Sequence, residues 1–243
     1  MQDFFEGIAS SFTKTFITDD RWLQLLNGLL VTIQITIIAA LIGIVLGFLI
    51  AIVRSTYDMQ HLGKKCSKPS DYVLKFLNFI CNIYITIIRG TPVVIQLMIM
   101  YFIVFSSSRN GIIAAIISFG MNSGAYVAEI VRSGIMSIDK GQFEASRSIG
   151  FNYTKTMLYI IIPQSFKNVL PALGNEFIVL VKETSVAGYV ALQDLTYVGN
   201  LIRSRTYEAF FPLITVAIIY LSIVLILTFL QKKLERRLRN SDH

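Results

Sequence analysis

Residues 22–53 read WLQLLNGLLVTIQITIIAALIGIVLGFLIAIV, an apolar stretch without a charged residue. A helix of about 20 such residues crosses a bilayer core about 30 Å thick. More apolar blocks follow, so that 54% of the 243 residues are hydrophobic and 15% are charged, whereas soluble domains carry about 25% charged residues. A soluble protein with one buried helix does not explain several such blocks. We therefore predict an all-α polytopic membrane protein without a separate soluble domain.

The apolar blocks predict about five transmembrane helices. The first contains Gly43-x-x-x-Gly47, a spacing of small residues that lets two helices approach closely in lipid. The second follows a break at Arg89-Gly-Thr-Pro92, because proline suits the first turn of a helix. The five predicted spans are residues 22–53, 92–105, 111–131, 170–192 and 211–230.

The segment before that break is more polar than the spans. Asp71, Lys75, Asn78 and Asn82 recur at helical spacing, with apolar residues on the opposite face. This pattern predicts an amphipathic helix over residues 71–88 that lies at the membrane interface. A single long, kinked helix over residues 71–105 remains the alternative.

The positive charges predict the orientation. Lys and Arg concentrate in the cytoplasmic loops of membrane proteins. With the C-terminus inside, sixteen of the 22 Lys and Arg residues fall inside, five fall outside and Lys182 lies in a span. We therefore predict an extracytoplasmic segment over residues 1–21, a membrane domain over 22–231 and a basic cytoplasmic tail over 232–243. On this interpretation the net charge of +7 reflects membrane orientation and not a nucleic acid partner.

The chain lacks the residue patterns of an enzyme or a metal site. Its histidines are His61 and His243, and its two cysteines, Cys66 and Cys81, are predicted to be reduced thiols. Gly63-Lys64-Lys65 lacks the upstream glycine and the hydroxyl residue of a phosphate-binding loop. We predict no catalytic residue, no metal and no cofactor in this chain.

A polar loop over residues 137–163 separates the third and fourth predicted spans. Asp139 is placed to cap a helix over 141–148, and Gly150 stands where a left-handed residue ends such a helix. Asn152 is placed to cap a second helix through Tyr159, and Pro163 indicates a stop or a kink. The loop is predicted to form a cytoplasmic helix-turn-helix.

The same loop resembles the EAA loop of binding-protein-dependent ABC importer permeases. That pattern is Glu-Ala-Ala, three residues, Gly, nine residues, Ile, one residue and Leu-Pro, and every spacing fits. Ser146 replaces the second alanine and Ile162 replaces the leucine. The resemblance implies that the loop contacts an ATPase subunit, through Glu144, Ala145, Ser146, Gly150, Ile160 and Pro163.

Further segments resemble the polar amino acid branch of that family. They are Arg89-Gly-Thr-Pro92, Asn122-Ser-Gly-Ala-Tyr126 with the residues through Arg132, and Lys182-Glu-Thr-Ser185. The resemblance implies a permease of the bacterial cytoplasmic membrane that works with a second permease copy or a related chain, two cytoplasmic ATPases and an external amino-acid-binding protein. ATP and magnesium would then be used by the ATPase. Another importer branch, a secondary carrier and a membrane enzyme are the rival interpretations.

Polar residues inside the predicted spans are candidates for a substrate pathway, because ionisable groups in lipid are costly and usually functional. In one interpretation Glu129 or Glu183 attracts a substrate amine. In the other, Lys182 pairs with one of these carboxylates and holds the helices together. The candidate residues are Asn122, Tyr126, Glu129, Lys182, Glu183, Thr184 and Ser185.

Overall fold

A computed structural model describes residues 2–61, 68–107 and 111–240, and every secondary-structure element within these ranges is helical. Gly63, Lys64, Lys65, Cys66 and His243, considered above, lie outside the described residues. The α-helices are α1 Gln2–Phe12, α2 Arg21–His61, α3 Pro69–Gly90, α4 Val93–Ile99, α5 Gly111–Met136, α6 Lys140–Ser148, α7 Tyr153–Thr156, α8 Ile162–Glu183, α9 Leu195–Thr206 and α10 Phe210–Asn240.

Within the described residues, four helical segments are long and apolar enough to cross a membrane: Ala9–Gln60, Pro69–Gly90, Gly111–Met136 and Phe210–Arg237. They confirm an all-α polytopic membrane protein. Val93–Val104 is a shorter apolar helix. The helix α8 has comparable length but carries four charged residues, Lys167, Glu176, Lys182 and Glu183.

The helix α3, Pro69–Gly90, covers the predicted amphipathic segment and packs against two other helices. Ile85 is buried against Ile50 of α2 and Ala125 of α5, and the Tyr84 hydroxyl donates to the carbonyl of Met121. Large apolar residues of α3, among them Phe76, point outward and are exposed. In lipid this exposure costs little, because the lipid tails are as apolar as the side chains themselves. The periodicity of 71–88 therefore belongs to a helix that packs on α2 and α5.

The alternative of one kinked helix over residues 71–105 is wrong. The helix α3 ends at Gly90, Thr91 is extended with φ −122° and ψ 146°, and α4 begins at Val93. Proline disfavours a helical conformation in the residue before it, which explains why Thr91 leaves the helix. A π-helix over Met100–Val104 continues α4.

The helical part of the fourth predicted span is shorter than expected. The α-helix ends at Glu183, a 3-10 helix follows over Thr184–Val190, and Ala191 is left-handed with φ 56°. The Thr184 hydroxyl donates to the carbonyl of Val181. Lys182 to Ser185 therefore occupy the end of a helix and the start of a tighter one, and not the interior of a single span.

The described residues form two compact units. The first lies within 1–39, 93–119 and 178–230, and its core contains Leu25, Leu195, Val198, Ile202 and Val216. There Asp194 caps α9 by accepting from the amides of Thr196 and Tyr197, and burial raises its pKa to about 6.

The second unit lies within 40–92, 120–177 and 231–243. In it α2 and α5 approach closely at the predicted pair of glycines. A Cβ atom on Gly43 would lie 2.9 Å from the Ser123 Cβ, and one on Gly47 would lie 2.5 Å from the Val127 Cγ1. The small residues therefore permit this helix contact, as the spacing predicted.

Candidate functional site

The polar loop contains the first of the two predicted helices. The helix α6 covers Lys140–Ser148, and the Asp139 side chain accepts a hydrogen bond from the Gly141 amide at 2.6 Å. The carboxylate thereby satisfies an amide that has no partner inside the helix. The predicted cap is confirmed.

The turn after α6 depends on Gly150. Its φ is +87°, the left-handed region that favours glycine. The Phe151 amide donates to the Ser146 carbonyl at 3.0 Å, and the Gly150 amide donates to the Arg147 carbonyl at 3.0 Å. These two bonds form a Schellman motif, which satisfies the last carbonyls of a helix. The prediction for Gly150 is confirmed.

The second helix begins as predicted but does not end at Pro163. The Asn152 side chain accepts from the Lys155 amide at 2.9 Å and caps α7. A π-helix over Met157–Ile161 follows and leads without interruption into α8, which contains Pro163 in its first turn. Wider π turns adjacent to a proline relieve the clash of its ring with the preceding turn. Of the two outcomes predicted at Pro163, a stop or a kink, the stop is therefore wrong.

One side of this helix-turn-helix, residues 139–161, packs into the second unit. Met157 and Ile161 join a buried cluster with Val131 of α5, and Phe143 packs against it. The Tyr153 hydroxyl donates to the Thr56 hydroxyl at 3.2 Å, and burial raises the pKa of Tyr153. The helix-turn-helix is thus fastened to α2 and α5.

Three apolar residues of the helix-turn-helix are exposed, and we call them together the knob face. It contains Ile149, Leu158 and Tyr159, whose side chains are 69%, 56% and 71% exposed. Glu144 and Ala145 are also exposed, whereas Ser146 is buried and donates to the Gln142 carbonyl. Sequence reasoning missed the three apolar residues, although apolar side chains in a polar loop were a usable signal.

Glu129 lies at the centre of a cluster of ionic contacts. Its Oε1 accepts from the Arg54 guanidinium and from Arg132 Nε at 3.3 Å. Arg132 also donates to Asp58 Oδ2 at 2.7 Å. All of these side chains are partly buried, where opposite charges interact more strongly than in water. Glu129 therefore pairs with two arginines, which neither interpretation of this residue had included.

A third arginine approaches the same carboxylate loosely. Arg89 lies 3.8 Å from Glu129 Oε2, and its guanidinium carbon lies 5.1 Å from the centre of the Tyr126 ring. Arg89 and Glu129 line an open cavity of about 380 Å³. Tyr126 and Glu129, both candidate pathway residues, therefore meet at Arg89. The sequence signal for Arg89 was its position in Arg-Gly-Thr-Pro.

Asn122, another candidate pathway residue on α5, is buried and does not line this cavity. Asn122 and Ser123 are 3% and 2% exposed, and the Ser123 hydroxyl donates to Glu176 Oε1 at 3.2 Å. Glu176 is itself buried, on α8. Sequence reasoning missed this carboxylate, although an acidic residue within the predicted span 170–192 was a signal for it.

Lys182 to Ser185 belong to the first unit, whereas Asn122, Tyr126 and Glu129 belong to the second. Lys182 is exposed, Glu183 and Ser185 are partly buried, and Thr184 is fully buried. The four residues thus present two partly accessible polar groups, Glu183 and Ser185, next to an exposed cation.

Comparisons with known proteins agree over most of the chain. The family described as binding-protein-dependent transport system inner membrane component matches residues 72–240. The arginine transport system permease protein ArtQ of Bacillus subtilis is 37% identical over 222 residues, which are 90% of this chain and 94% of that protein. The putative glutamine transport system permease protein GlnP of Rickettsia typhi is 36% identical over 219 residues, 89% of this chain and 93% of that protein.

Solved structures give the same result. A crystal structure of an amino acid ABC transporter with histidines is similar with a TM-score of 0.77 and 38% identity, over 88% of this chain and 94% of that one. The MetNI methionine ABC transporter in an inward-facing conformation has a TM-score of 0.76 at 21% identity, over 91% of this chain and 99% of that one. This second likeness supports the fold alone.

Proposed function

Because the chain belongs to the family of binding-protein-dependent transport system inner membrane components, we propose that it is the permease subunit of an ATP-driven importer. Its substrate is a polar amino acid, which it carries across the bacterial cytoplasmic membrane. The observation that carries this proposal is the 37% identity to an arginine permease over 90% of the chain. The permease itself performs no chemistry.

The knob face is the proposed contact with a cytoplasmic ATPase, which uses ATP and magnesium. Exposed apolar side chains surrounded by polar ones are typical of a protein interface, and Glu144 with Ala145 adds polar and small contacts beside them. The helix-turn-helix is itself fastened to α2 and α5. Closure of the ATPase would therefore move these helices with it.

The proposed topology has residues 1–21 outside and residues 232–243 inside. The count of Lys and Arg over the five spans predicted from the sequence supports it, since sixteen of 22 then fall on the side of the helix-turn-helix. An amino-acid-binding protein would deliver the substrate on the outer side. A second permease, identical or related, would complete the translocation pathway, with lipid covering the remaining apolar surface.

The direct test is reconstitution of the permease in lipid vesicles with an ATPase subunit and a binding protein encoded beside it. We expect ATP-dependent uptake of one or more amino acids, and a competition screen over the twenty standard amino acids and cystine identifies them. Uptake that persists without the ATPase would instead indicate a secondary carrier. Uptake of other solutes only would indicate another importer branch.

We expect the Ile149→Asp variant to lose most of the ATP-driven uptake. Ile149 is 69% exposed, so the substitution leaves the fold intact but places a charge in the proposed apolar contact. Uptake and ATPase co-purification with the permease are the measurements. The exposed Asn200 on α9, outside the knob face, provides the control variant Asn200→Asp. Normal co-purification with Ile149→Asp would exclude the knob face as the contact.

The Glu183→Gln variant tests the pathway over residues 182–185. Glu183 is partly buried beside exposed Lys182, and removing its charge removes a candidate partner for a substrate amine. We expect lower uptake with an unchanged amount of permease in the membrane, measured by immunoblot. A parallel loss of protein and uptake would show that Glu183 serves the structure and not the pathway.

A further inference from the structure

Among the described residues, the cluster around Glu129 holds one more positive charge than negative charges. Three guanidinium groups, those of Arg54, Arg89 and Arg132, meet two carboxylates, those of Asp58 and Glu129. Arg54 pairs with Glu129, and Arg132 pairs with Asp58 at 2.7 Å. Arg89 is therefore the cation that these close pairs do not neutralise.

Arg89 is also the most accessible of the three arginines. Its side chain is 41% exposed, compared with 15% for Arg54 and 26% for Arg132. Its distance of 3.8 Å from Glu129 Oε2 is too long for a hydrogen bond. The close contacts of Glu129 use Oε1. The cavity thus presents a guanidinium and a carboxylate oxygen that hold each other only loosely.

The cavity around this pair has the size and lining of a small-molecule site. Its volume of about 380 Å³ falls within the range of about 300–1,000 Å³ that is usual for ligand pockets. Ser133 and Asn168 add polar groups to the wall, and Ile130 and Ala172 add apolar ones. The Tyr126 ring lies under the Arg89 guanidinium and favours it through a cation–π contact. The ring thereby holds the flat face of the Arg89 guanidinium in place, while the N–H groups at the edge of the guanidinium remain available to donate hydrogen bonds.

From this arrangement we infer that Arg89 and Glu129 form a subsite for the zwitterionic head group of an amino acid, an inference that rests on the function proposed above. The guanidinium binds the α-carboxylate through two parallel hydrogen bonds, a geometry that arginine favours. Glu129 Oε2 binds the α-ammonium. An entering amino acid separates Arg89 from Glu129 at a small cost in free energy. The reason is that each of these two side chains gains a closer, oppositely charged group of the amino acid.

A subsite of this kind binds the α-carboxylate and α-ammonium groups, which all amino acids share. The charged groups of the cavity face the head group, whereas Ile130 and Ala172 offer no polar contact to a side chain. The subsite therefore favours amino acids over amines and carboxylic acids. Discrimination between side chains must come from other residues or from the binding protein.

The test compares Arg89→Gln with wild type in the reconstituted complex of permease and ATPase. The probe is the amino acid that the wild-type complex imports, with L-arginine and L-glutamine tried first, together with its methyl ester and its decarboxylated amine. We expect Arg89→Gln to raise the dissociation constant for the amino acid about 10- to 100-fold. The same variant should bind the methyl ester and the amine as wild type does, because neither carries a carboxylate.

Two further variants separate recognition from folding. Arg89→Lys keeps the charge but loses the paired donors, and we expect an intermediate dissociation constant. Lys75→Gln removes an exposed cation elsewhere on α3 and should leave binding unchanged. The amount of ATPase that co-purifies with each variant reports intact assembly, and basal ATP hydrolysis should remain normal in Lys75→Gln.

The outcomes distinguish the subsite from the function on which it rests. If wild type imports an amino acid and Arg89→Gln binds it with an unchanged dissociation constant, the subsite is wrong. The same conclusion follows if Arg89→Gln weakens the methyl ester and the amine as strongly as the amino acid. If wild type imports no amino acid, the proposed function fails together with the subsite.

Discussion

Replacing Gly150 with valine is expected to abolish ATP-driven import while the permease still accumulates in the membrane. Gly150 has φ +87°, and a left-handed backbone costs an L-residue about 1–2 kcal/mol, with β-branched side chains affected most. A Cβ at this position meets nothing within 4 Å, so the strain is confined to the turn. Relief of that strain breaks the Schellman motif and changes the angle between α6 and α7. Uptake in lipid vesicles is the measurement.

The matched control for this variant is Gly150→Asn. Asparagine tolerates the left-handed region much better than valine, so the turn is preserved although the glycine is lost. We expect Gly150→Asn to retain most of the uptake. Full uptake by Gly150→Val would show that the shape of the turn does not transmit force from the ATPase.

Enlarging Gly47 is expected to have the second large effect, on stability and not on coupling. In Gly47→Ala the new Cβ would lie 2.5 Å from Val127 Cγ1 and 2.9 Å from the Ala128 amide nitrogen. Because a backbone atom of α5 is in the way, the two helices must separate. Overpacking of this kind costs about 1–3 kcal/mol. We expect a lower midpoint of thermal unfolding in detergent, and Gly47→Leu should not accumulate at all.

The control for the close approach is Gly7→Ala. A Cβ on Gly7 meets nothing within 4 Å, and alanine is the better helix former, so this variant should unfold at the wild-type midpoint or above it. An unchanged midpoint in Gly47→Ala would mean that α2 and α5 do not depend on their close packing.

Several features were predictable because they depend on residues close together in the chain. A cap such as Asp139 acts on an amide two residues away, and the turn at Gly150 depends on its own φ and on bonds to Ser146 and Arg147. The apolar stretch from residue 22 likewise needs no partner to indicate a membrane helix. Each of these was read correctly from the sequence.

Other features were not predictable, because they depend on contacts with other helices or on small changes in helix geometry. The periodicity of residues 71–88 predicted an amphipathic helix, but it did not predict that Tyr84 and Ile85 of this helix contact α2 and α5. Proline ends many helices. Here a π-helix over Met157–Ile161 leads without interruption into α8, which contains Pro163 in its first turn. Rules that consider only neighbouring residues predict neither contacts between helices nor a π-helix before a proline.

By itself the sequence determined the membrane-spanning class, the capped helix-turn-helix and the resemblance that indicated an importer permease. Only the tertiary structure decided that Arg54, Arg89 and Arg132 gather around Glu129 and that Arg89 and Glu129 line one cavity. The physical reason is distance along the chain. Hydropathy, caps and turns arise from neighbouring residues, whereas a cluster assembled from α2, α3 and α5 exists only after those helices have packed together.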